Sequence, residues 1–508
     1  MDKILIIDFG SQYAQLIARR VREFGVYCEL IPYDTPQDYI INFSPKAIIF
    51  SGSPSSVTQP NAPYIPEIIF DLNIPLLGIC YGMQTMAHQL GGKVETTKSQ
   101  AEYGNTQTII TSTLDLLSDL SNPINVWMSH EDQVTILPPN FTNYAHTINT
   151  KFATMANLEK RWYGAQFHPE VTHTKEGTTV LHNFVFKIAE CSATWTANHI
   201  LEDIAKKIQN QVQDNKVLLA LSGGVDSSVV AALLNKIIPN QLVCIFVDTG
   251  LLRLNEGDQV METFAQNLNI QVIRVNAQDR FFNSLQNITD PEIKRKVIGK
   301  LFIDIFTEEA SKLQNNIKFL AQGTIYSDVI ESNKKHTIKS HHNVGGLPDN
   351  LQFELIEPIK HLFKDEVKQL GTLLNLPDKI IYRHPFPGPG LGIRILGEVK
   401  PKYVSILQKA DNIFIQTLIK YNYYNKTNQA FAVFLPIKSV GVTGDNRKYE
   451  YVITLRAVDT TDYMTASWSK LPYDLLEEVS SRIVNEVNNV SRVVYDITGK
   501  PPATIEWE

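Results

Sequence analysis

The sequence predicts an α/β protein built as two successive, mostly parallel α/β domains followed by a smaller α+β domain. Three observations carry this. Short apolar runs ending in Gly, Ser, Asp or Pro alternate with helix-patterned stretches in two separate series. Around Arg383 the composition changes to HPFPGPGLGIR, whose prolines and glycines continue neither a helix nor a central strand. Beyond it, β-forming segments alternate with two helical patterns. At 508 residues and roughly 150 residues per domain, three domains are expected: 1–193, 194–383 and 384–508.

The first series places strands at ILIID (4–8), AIIFSG (47–52) and IPLLGIC (74–80). A helical stretch over 199–213 leads into the second, whose strands are VLLAL, 242–247, 271–275 and 319–321. In the third unit, 402–420 and 475–488 read as helices and 430–435, 449–458 and 492–497 as strands. The alternating aromatics of this unit, Tyr421 to Tyr451 and Trp468, read as core or as contacts.

Composition excludes several classes of function. With 43% hydrophobic and 20% charged residues, the chain is neither fibrous nor wholly disordered. A net charge of −6 lacks the basic excess that long nucleic acid favours, so no nucleic acid partner is expected. The widely spaced Cys28, Cys80, Cys191 and Cys244 form neither a metal clip nor a disulfide framework, which fits a reducing compartment. No apolar run approaches the ~20 residues of a membrane span, and MDKILIIDFG has too short an apolar run, with an early Asp8, for a signal peptide. A cytoplasmic protein with no membrane partner is expected.

Gly78-Ile79-Cys80-Tyr81-Gly82 follows an apolar strand and precedes a helical pattern. This is the G-x-nucleophile-x-G form of a sharp strand-to-helix elbow with Cys in place of Ser. A lone cysteine is more often a small buried hydrophobe. An elbow cysteine differs, because the helix N-terminus favours thiolate and nearby N–H groups face a developing oxyanion. His168, in Phe167-His168-Pro169-Glu170, supplies a base, and Glu170 two residues later supplies a carboxylate to orient it.

Taken in order, SGSP (51–54), GICYGMQ (78–84) and QFHPEVTHT (166–174) resemble a class I, triad-type glutamine amidotransferase domain. The resemblance implies that Cys80 attacks the glutamine side-chain amide, that His168 serves as base and proton donor, and that Glu170 holds the imidazole. It also implies that Gly52 and Tyr81 lend oxyanion N–H groups. Two positions depart from the family pattern: Ser53 stands where a glycine is usual, as does Glu131 in MSHED. Only glycine freely adopts positive φ, so both bear on the glutamine-binding loops.

The second site is Ser222-Gly223-Gly224-Val225-Asp226-Ser227-Ser228, between VLLAL and an apolar helix. Glycines let successive N–H groups face one concavity, the helix N-terminus adds positive potential, and Asp226 is placed to hold a divalent metal. A plain Gly-rich turn with a polar cap is the simpler alternative. Asp248 and Gly323 stand where open sheets bind ligands, and equally where turns are capped. The Walker spacing GxxxxGK[ST] is absent. The loop resembles that of N-type ATP pyrophosphatases, implying ATP as substrate, Mg²⁺ with it, and adenylation of a substrate oxygen.

With DPEIKRKVIG (290–299), GTIYSDVIES (323–332), IKSHHNVGGLP (338–348), RHPFPGPGLG (383–392) and KPPATIEWE (500–508), the whole chain resembles the GMP synthase family. That implies glutamine-dependent amination of xanthosine 5′-monophosphate (XMP) to GMP through an adenylyl intermediate, in a homodimer paired by the third domain. It assigns Arg295, Gln429, Lys500, Ile505 and Glu506 to XMP, and Asp328, Lys339, His341 and His342 to a lid that excludes water. Read without the resemblance, Lys294-Arg295-Lys296 is a solvated helix face and His341-His342 are plain loop residues. Only three residues separate Ser332 from His336, a shorter lid segment than many relatives carry. Two other classes share parts of these motifs. A tRNA sulfurtransferase is opposed by the acidic balance and by the lack of a cysteine pair in the second half, and a non-catalytic glutamine or nucleotide sensor by the intact Cys80–His168–Glu170 set.

Overall fold

The computed structural model describes residues 1–313, 317–335, 353–443, 446–460, 463 and 465–508. Two compact units emerge, the first over Met1–Ile200 and the second beginning at Leu201. The structure is of mixed α/β class, with large parallel-rich sheets and a strand-rich C-terminal part, as its sequence predicts.

The first unit is built on a nine-stranded sheet. Its parallel half runs Tyr27–Pro32, Lys3–Asp8, Ala47–Phe50, Leu76–Ile79 and Trp162–Ala165. Ala47–Phe50 and Leu76–Ile79 are buried at every position, because both faces are covered and alternation would put polar groups in a core. The other half is antiparallel, adding Thr154–Asn157, Thr142–His146, Glu102–Ile110 and Ile124–His130. Register aligns the parallel strands at one edge. Ile7 pairs with Phe50, Phe50 with Gly78, and Gly78 with Gly164, so Gly52, Cys80 and Gln166 fall two residues beyond in one row.

The second unit holds a five-stranded parallel sheet in the order Gln271–Asn276, Leu242–Asp248, Lys216–Ala220, Ile317–Ala321, Glu354–Ile356. The chain begins in the central strand, winds to one side and then crosses to the other. The topological switch therefore lies between Lys216–Ala220 and Ile317–Ala321, where open sheets bind ligands beyond their carboxyl ends. One apolar cluster continues from Leu218 of this sheet to Val490 near the C-terminus, so the second and third sequence segments share a core. The C-terminal sheet pairs Gln429–Thr443 with Asn446–Asp459, which also pairs Ser467–Trp468 and Val490–Tyr495. Helices Pro401–Lys420 and Tyr473–Glu486 cover it. The hairpin strands are longer than expected; a register shift between Leu435 and Lys438 accommodates Pro436, which cannot donate to a ladder. No helix among the described residues is long and apolar enough to cross a membrane.

Candidate active site

The Leu76–Ile79 strand turns into the Tyr81–Gln89 helix through Cys80, whose φ of 51° and ψ of −106° lie outside the usual basins for a non-glycine residue. Two glycines make this turn possible. A Cβ on Gly78 would stand 2.6 Å from Gly82 backbone atoms, and one on Gly82 would stand 2.5 Å from the Phe50 carbonyl oxygen. Strand and helix thus approach too closely for any side chain, and the sulfur is lifted above the sheet edge.

His168 follows the Trp162–Ala165 strand and is fixed on several sides. Its N–H donates to Trp127 O at 3.0 Å, its carbonyl accepts from Thr174 Oγ1 at 2.7 Å, and Tyr13 packs edge-on against the ring at 5.5 Å. Nδ1 lies 2.8 Å from Glu170 Oε1, with the histidine 4% and the glutamate 1% exposed. Burial opposes a charge on this imidazole, yet the Glu170 carboxylate and the neighbouring Cys80 sulfur outweigh it and raise His168 well above its ordinary value. Glu170 Oε2 has no hydrogen-bond partner among the described residues.

Gly52 abuts this histidine, since a Cβ there would lie 3.2 Å from His168 Cε1. The N–H groups of Gly52 and Tyr81 donate to no protein acceptor among the described residues, as expected for a strand end and a first helical turn. Tyr81 spends its hydroxyl on Pro63 O at 2.7 Å. Neither Ser53 nor Glu131 has positive φ, so neither needs glycine's freedom. Ser53 Oγ donates to Phe9 O at 2.8 Å and accepts from Ser55 N at 3.1 Å, while Glu131 receives the Tyr103 hydroxyl at 3.0 Å.

Sequence reasoning missed two buried amides here. Gln166 donates to Cys80 Sγ at 3.6 Å, and Gln84 donates to Gln166 Oε1 at 3.3 Å and to Asp132 O at 2.7 Å. Both sit inside the quoted motifs, GICYGMQ and QFHPE, which was the available signal.

In the second unit, Ser222 to Ser228 form the turn between the Lys216–Ala220 strand and the Val225–Ile237 helix. Gly223 has φ of 73° and requires glycine; Gly224 caps the helix. Ser222 Oγ and Ser227 Oγ are 2.9 Å apart, Gly224 N donates to Ser222 Oγ at 3.2 Å, and Ser228 Oγ is buried without a partner among the described residues. A Cβ on Gly323 would lie 3.2 Å from Ser227 N, so the loops flanking the switch point touch. Asp226 is held by Lys364 Nζ at 2.7 and 2.8 Å. Arg383 donates to Gly223 O at 2.5 Å and to Glu256 at 2.7 Å. Asp248 is paired with Arg274 at 2.7 Å and lines a cavity of about 350 Å³ with Arg253 and Glu256. Lys364, 138 residues from Asp226, leaves no local signal in the sequence.

The residues assigned to XMP gather at the C-terminal tail, with one exception. Gln429 donates to Glu506 Oε1 at 2.7 Å, where buried Arg394 also pairs at 2.8 Å, and Arg295 donates to the Glu508 backbone carbonyl. Ile505 is buried, and its carbonyl accepts from Arg456 at 3.4 Å. Lys500 instead donates to Tyr463 O at 2.7 Å. Lys294 is fully buried rather than solvated, bonded to Ile395 O at 2.7 Å and to the Glu508 carboxylate. Asp328 accepts from Ile325 N at 3.1 Å near the start of the Tyr326–Lys335 helix. Lys339, His341 and His342 lie outside the described residues.

Three family models match the chain: glutamine amidotransferase class-I over residues 5–188, NAD synthase over 197–300, and GMP synthase C terminal domain over 416–507. Among curated proteins, the glutamine-hydrolyzing GMP synthase of Ruthia magnifica subsp. Calyptogena magnifica is 58% identical, covering 100% of this chain and 99% of the relative. That of Vesicomyosocius okutanii subsp. Calyptogena okutanii is 59% identical with the same coverage, and that of Methylococcus capsulatus 57%. An elbow cysteine with its buried His–Glu pair in one unit, a glycine-rich strand-to-helix turn at a sheet switch point in the other, and whole-length identity near 58% converge: the chain belongs to the glutamine-hydrolysing GMP synthase family.

Proposed function

We propose that the chain is an ATP-dependent ligase that converts XMP to GMP with glutamine as nitrogen donor, releasing AMP, pyrophosphate and glutamate. The observation that carries this is the family membership, at 58% identity over the full length. Neither the tRNA sulfurtransferase reading nor the sensor reading is favoured.

In the amidotransferase unit, His168 Nε2 takes the Cys80 proton and the sulfur attacks the glutamine side-chain carbonyl carbon. The C–S bond forms as the C=O π pair moves to oxygen, which the Gly52 and Tyr81 N–H groups face. Collapse returns that pair and breaks the C–N bond, whose electrons leave with nitrogen as His168 delivers the proton, so ammonia departs and a thioester remains. His168 then deprotonates water, which adds to the thioester carbon; collapse breaks the C–S bond, its electrons go to sulfur, His168 returns the proton to Cys80, and glutamate leaves. Glu170, 2.8 Å from Nδ1, keeps Nε2 free for both transfers and stabilises the imidazolium.

In the second unit the triphosphate sits on Ser222, Gly223, Gly224, Val225, Asp226, Ser227 and Ser228, with Asp248 and Gly323 at its flanks. The XMP C2 oxygen attacks the α-phosphorus, pyrophosphate leaves, and ammonia then displaces AMP at C2. The Asp226 carboxylate, held here by Lys364, is of the donor type that fits Mg²⁺, a hard cation usually held by one or two carboxylates plus substrate phosphates. Asp226 would hold it, and the ion would neutralise phosphate charge. Arg295, Gln429, Lys500, Ile505 and Glu506 bind XMP; Asp328, Lys339, His341 and His342 belong to the lid. The division into domains 1–193, 194–383 and 384–508, the homodimer paired through the last of these, and a cytoplasmic location complete the reading.

Cys80→Ala tests the division of labour. It abolishes GMP formation from glutamine and retains formation from added ammonia; equal loss with both donors contradicts the assignment.

A further inference from the structure

Among the described residues, the sulfur of Cys80 has two hydrogen-bonding neighbours besides His168, and they act in opposite directions. The Ser129 carbonyl oxygen, 3.8 Å away, accepts from a thiol and repels a thiolate. Gln166 Nε2, 3.6 Å away, is a donor only. Which end of the Gln166 amide faces the sulfur is settled by its neighbours. The Asp132 carbonyl can only accept, so the Gln84 group 2.7 Å from it is the NH₂. That same nitrogen lies 3.3 Å from the other end of the Gln166 amide, which must therefore be oxygen, leaving the Gln166 NH₂ to face Cys80. Gln166 is 0% and Gln84 3% exposed, so no water competes for these bonds and neither amide is free to turn. Register places Gln166 level with Cys80, each one residue beyond the end of its strand.

We propose that Gln166 is a further catalytic residue, a preorganised N–H donor that stabilises the Cys80 thiolate and is itself oriented by Gln84 and the Asp132 carbonyl. A donor aimed at an anionic sulfur strengthens as charge develops, because hydrogen bonds to ionised partners are roughly twice as strong as neutral ones. It offsets the Ser129 carbonyl, whose presence favours the uncharged thiol. Burial of the chain Asp132–Gln84–Gln166–Cys80 keeps the donor in place before substrate arrives, so no reorganisation is needed at the moment of attack. No atom is transferred through Gln166.

The inference rests on Cys80 being the nucleophile, and its test separates the two claims. Iodoacetamide alkylation of Cys80 in the full-length protein is followed against pH for wild type, Gln166→Met and Gln166→Asn, with the thermal unfolding midpoint as the folding control. Met keeps the volume and removes the donor; Asn keeps an amide and withdraws it by one methylene. In both, the alkylation profile moves to higher pH by about one unit, and on its rising limb labelling slows about tenfold. The kcat for glutamine hydrolysis falls with it while KM for glutamine changes little. A wild-type alkylation profile in either folded variant, or an effect confined to KM, overturns the proposal. If complete alkylation of Cys80 in the wild type leaves glutamine-dependent GMP synthesis intact, the nucleophile assignment is what fails, whatever the profiles show.

Discussion

Replacing Glu170 by Gln keeps the shape of the side chain and removes its charge. The carboxylate lies 2.8 Å from His168 Nδ1 with both residues almost wholly buried, so solvent screens the pair little. Burial works against the imidazolium; Glu170 and then Cys80 hold His168 well above its ordinary value of 6.5. A hydrogen bond to a charged group contributes about 1.5–3 kcal/mol. The Oε1 of the introduced glutamine still accepts a neutral bond of about 0.5–1.5 kcal/mol, so about 1–1.5 kcal/mol is lost where His168 carries the proton; at about 1.4 kcal/mol per factor of ten, glutamine hydrolysis slows roughly 5- to 12-fold. The pH dependence has a definite sign. A raised value means the native state keeps a proton that the unfolded chain has released, so this contribution is complete below pH 6.5 and fades as pH rises through the elevated value. The stability gap between wild type and Glu170→Gln is therefore widest near pH 6.5 and narrows towards alkaline pH. Steady-state glutamate release and thermal unfolding between pH 6.5 and 9 read both effects. Activity within twofold of wild type, or a gap independent of pH, would refute the role given to Glu170.

Two further outcomes follow from the same geometry. Asp226→Ala impairs GMP formation from glutamine and from ammonia alike, because it acts at adenylation; unchanged pyrophosphate release in a direct phosphate assay speaks against that role. Gly82→Ala forces a methyl to within 2.5 Å of the buried Phe50 carbonyl oxygen, so it lowers stability by about 1–3 kcal/mol and displaces the elbow, measurable as a lower unfolding midpoint with loss of glutaminase activity. An alanine variant with wild-type stability would mean the strand and helix are not as close as described.

Much of this architecture is legible in the sequence, and the exceptions have physical reasons. The strands Leu76–Ile79, Ala47–Phe50 and Leu242–Asp248 announce themselves because a doubly covered parallel strand is a continuous apolar run. Both turns carry chemistry and backbone demands in one string, so Gly78 to Gly82 and Ser222 to Ser228 can be placed without any long-range knowledge. The antiparallel strands Glu102–Ile110 and Ile124–His130 have alternating, partly exposed positions and offer no such signal. The hairpin extends well past 430–435 because its outer residues pair backbone to backbone while their side chains face solvent. Long-range partners are the hardest to anticipate. Lys364 reaches Asp226, and Lys294 enters the core to meet the Glu508 carboxylate, through tertiary proximity that neither local sequence encodes; a charged run read as a solvated helix face thus proves to contain a fully buried cation.

The most direct measurement of the central claim uses glutamine labelled with ¹⁵N in its side-chain amide, incubated with the protein, XMP, ATP and Mg²⁺. GMP, AMP, pyrophosphate and glutamate are expected in equal amounts, with the label in the exocyclic amine of GMP. Glutamate appearing without any adenylylated or aminated purine, from folded protein with all substrates present, would contradict it.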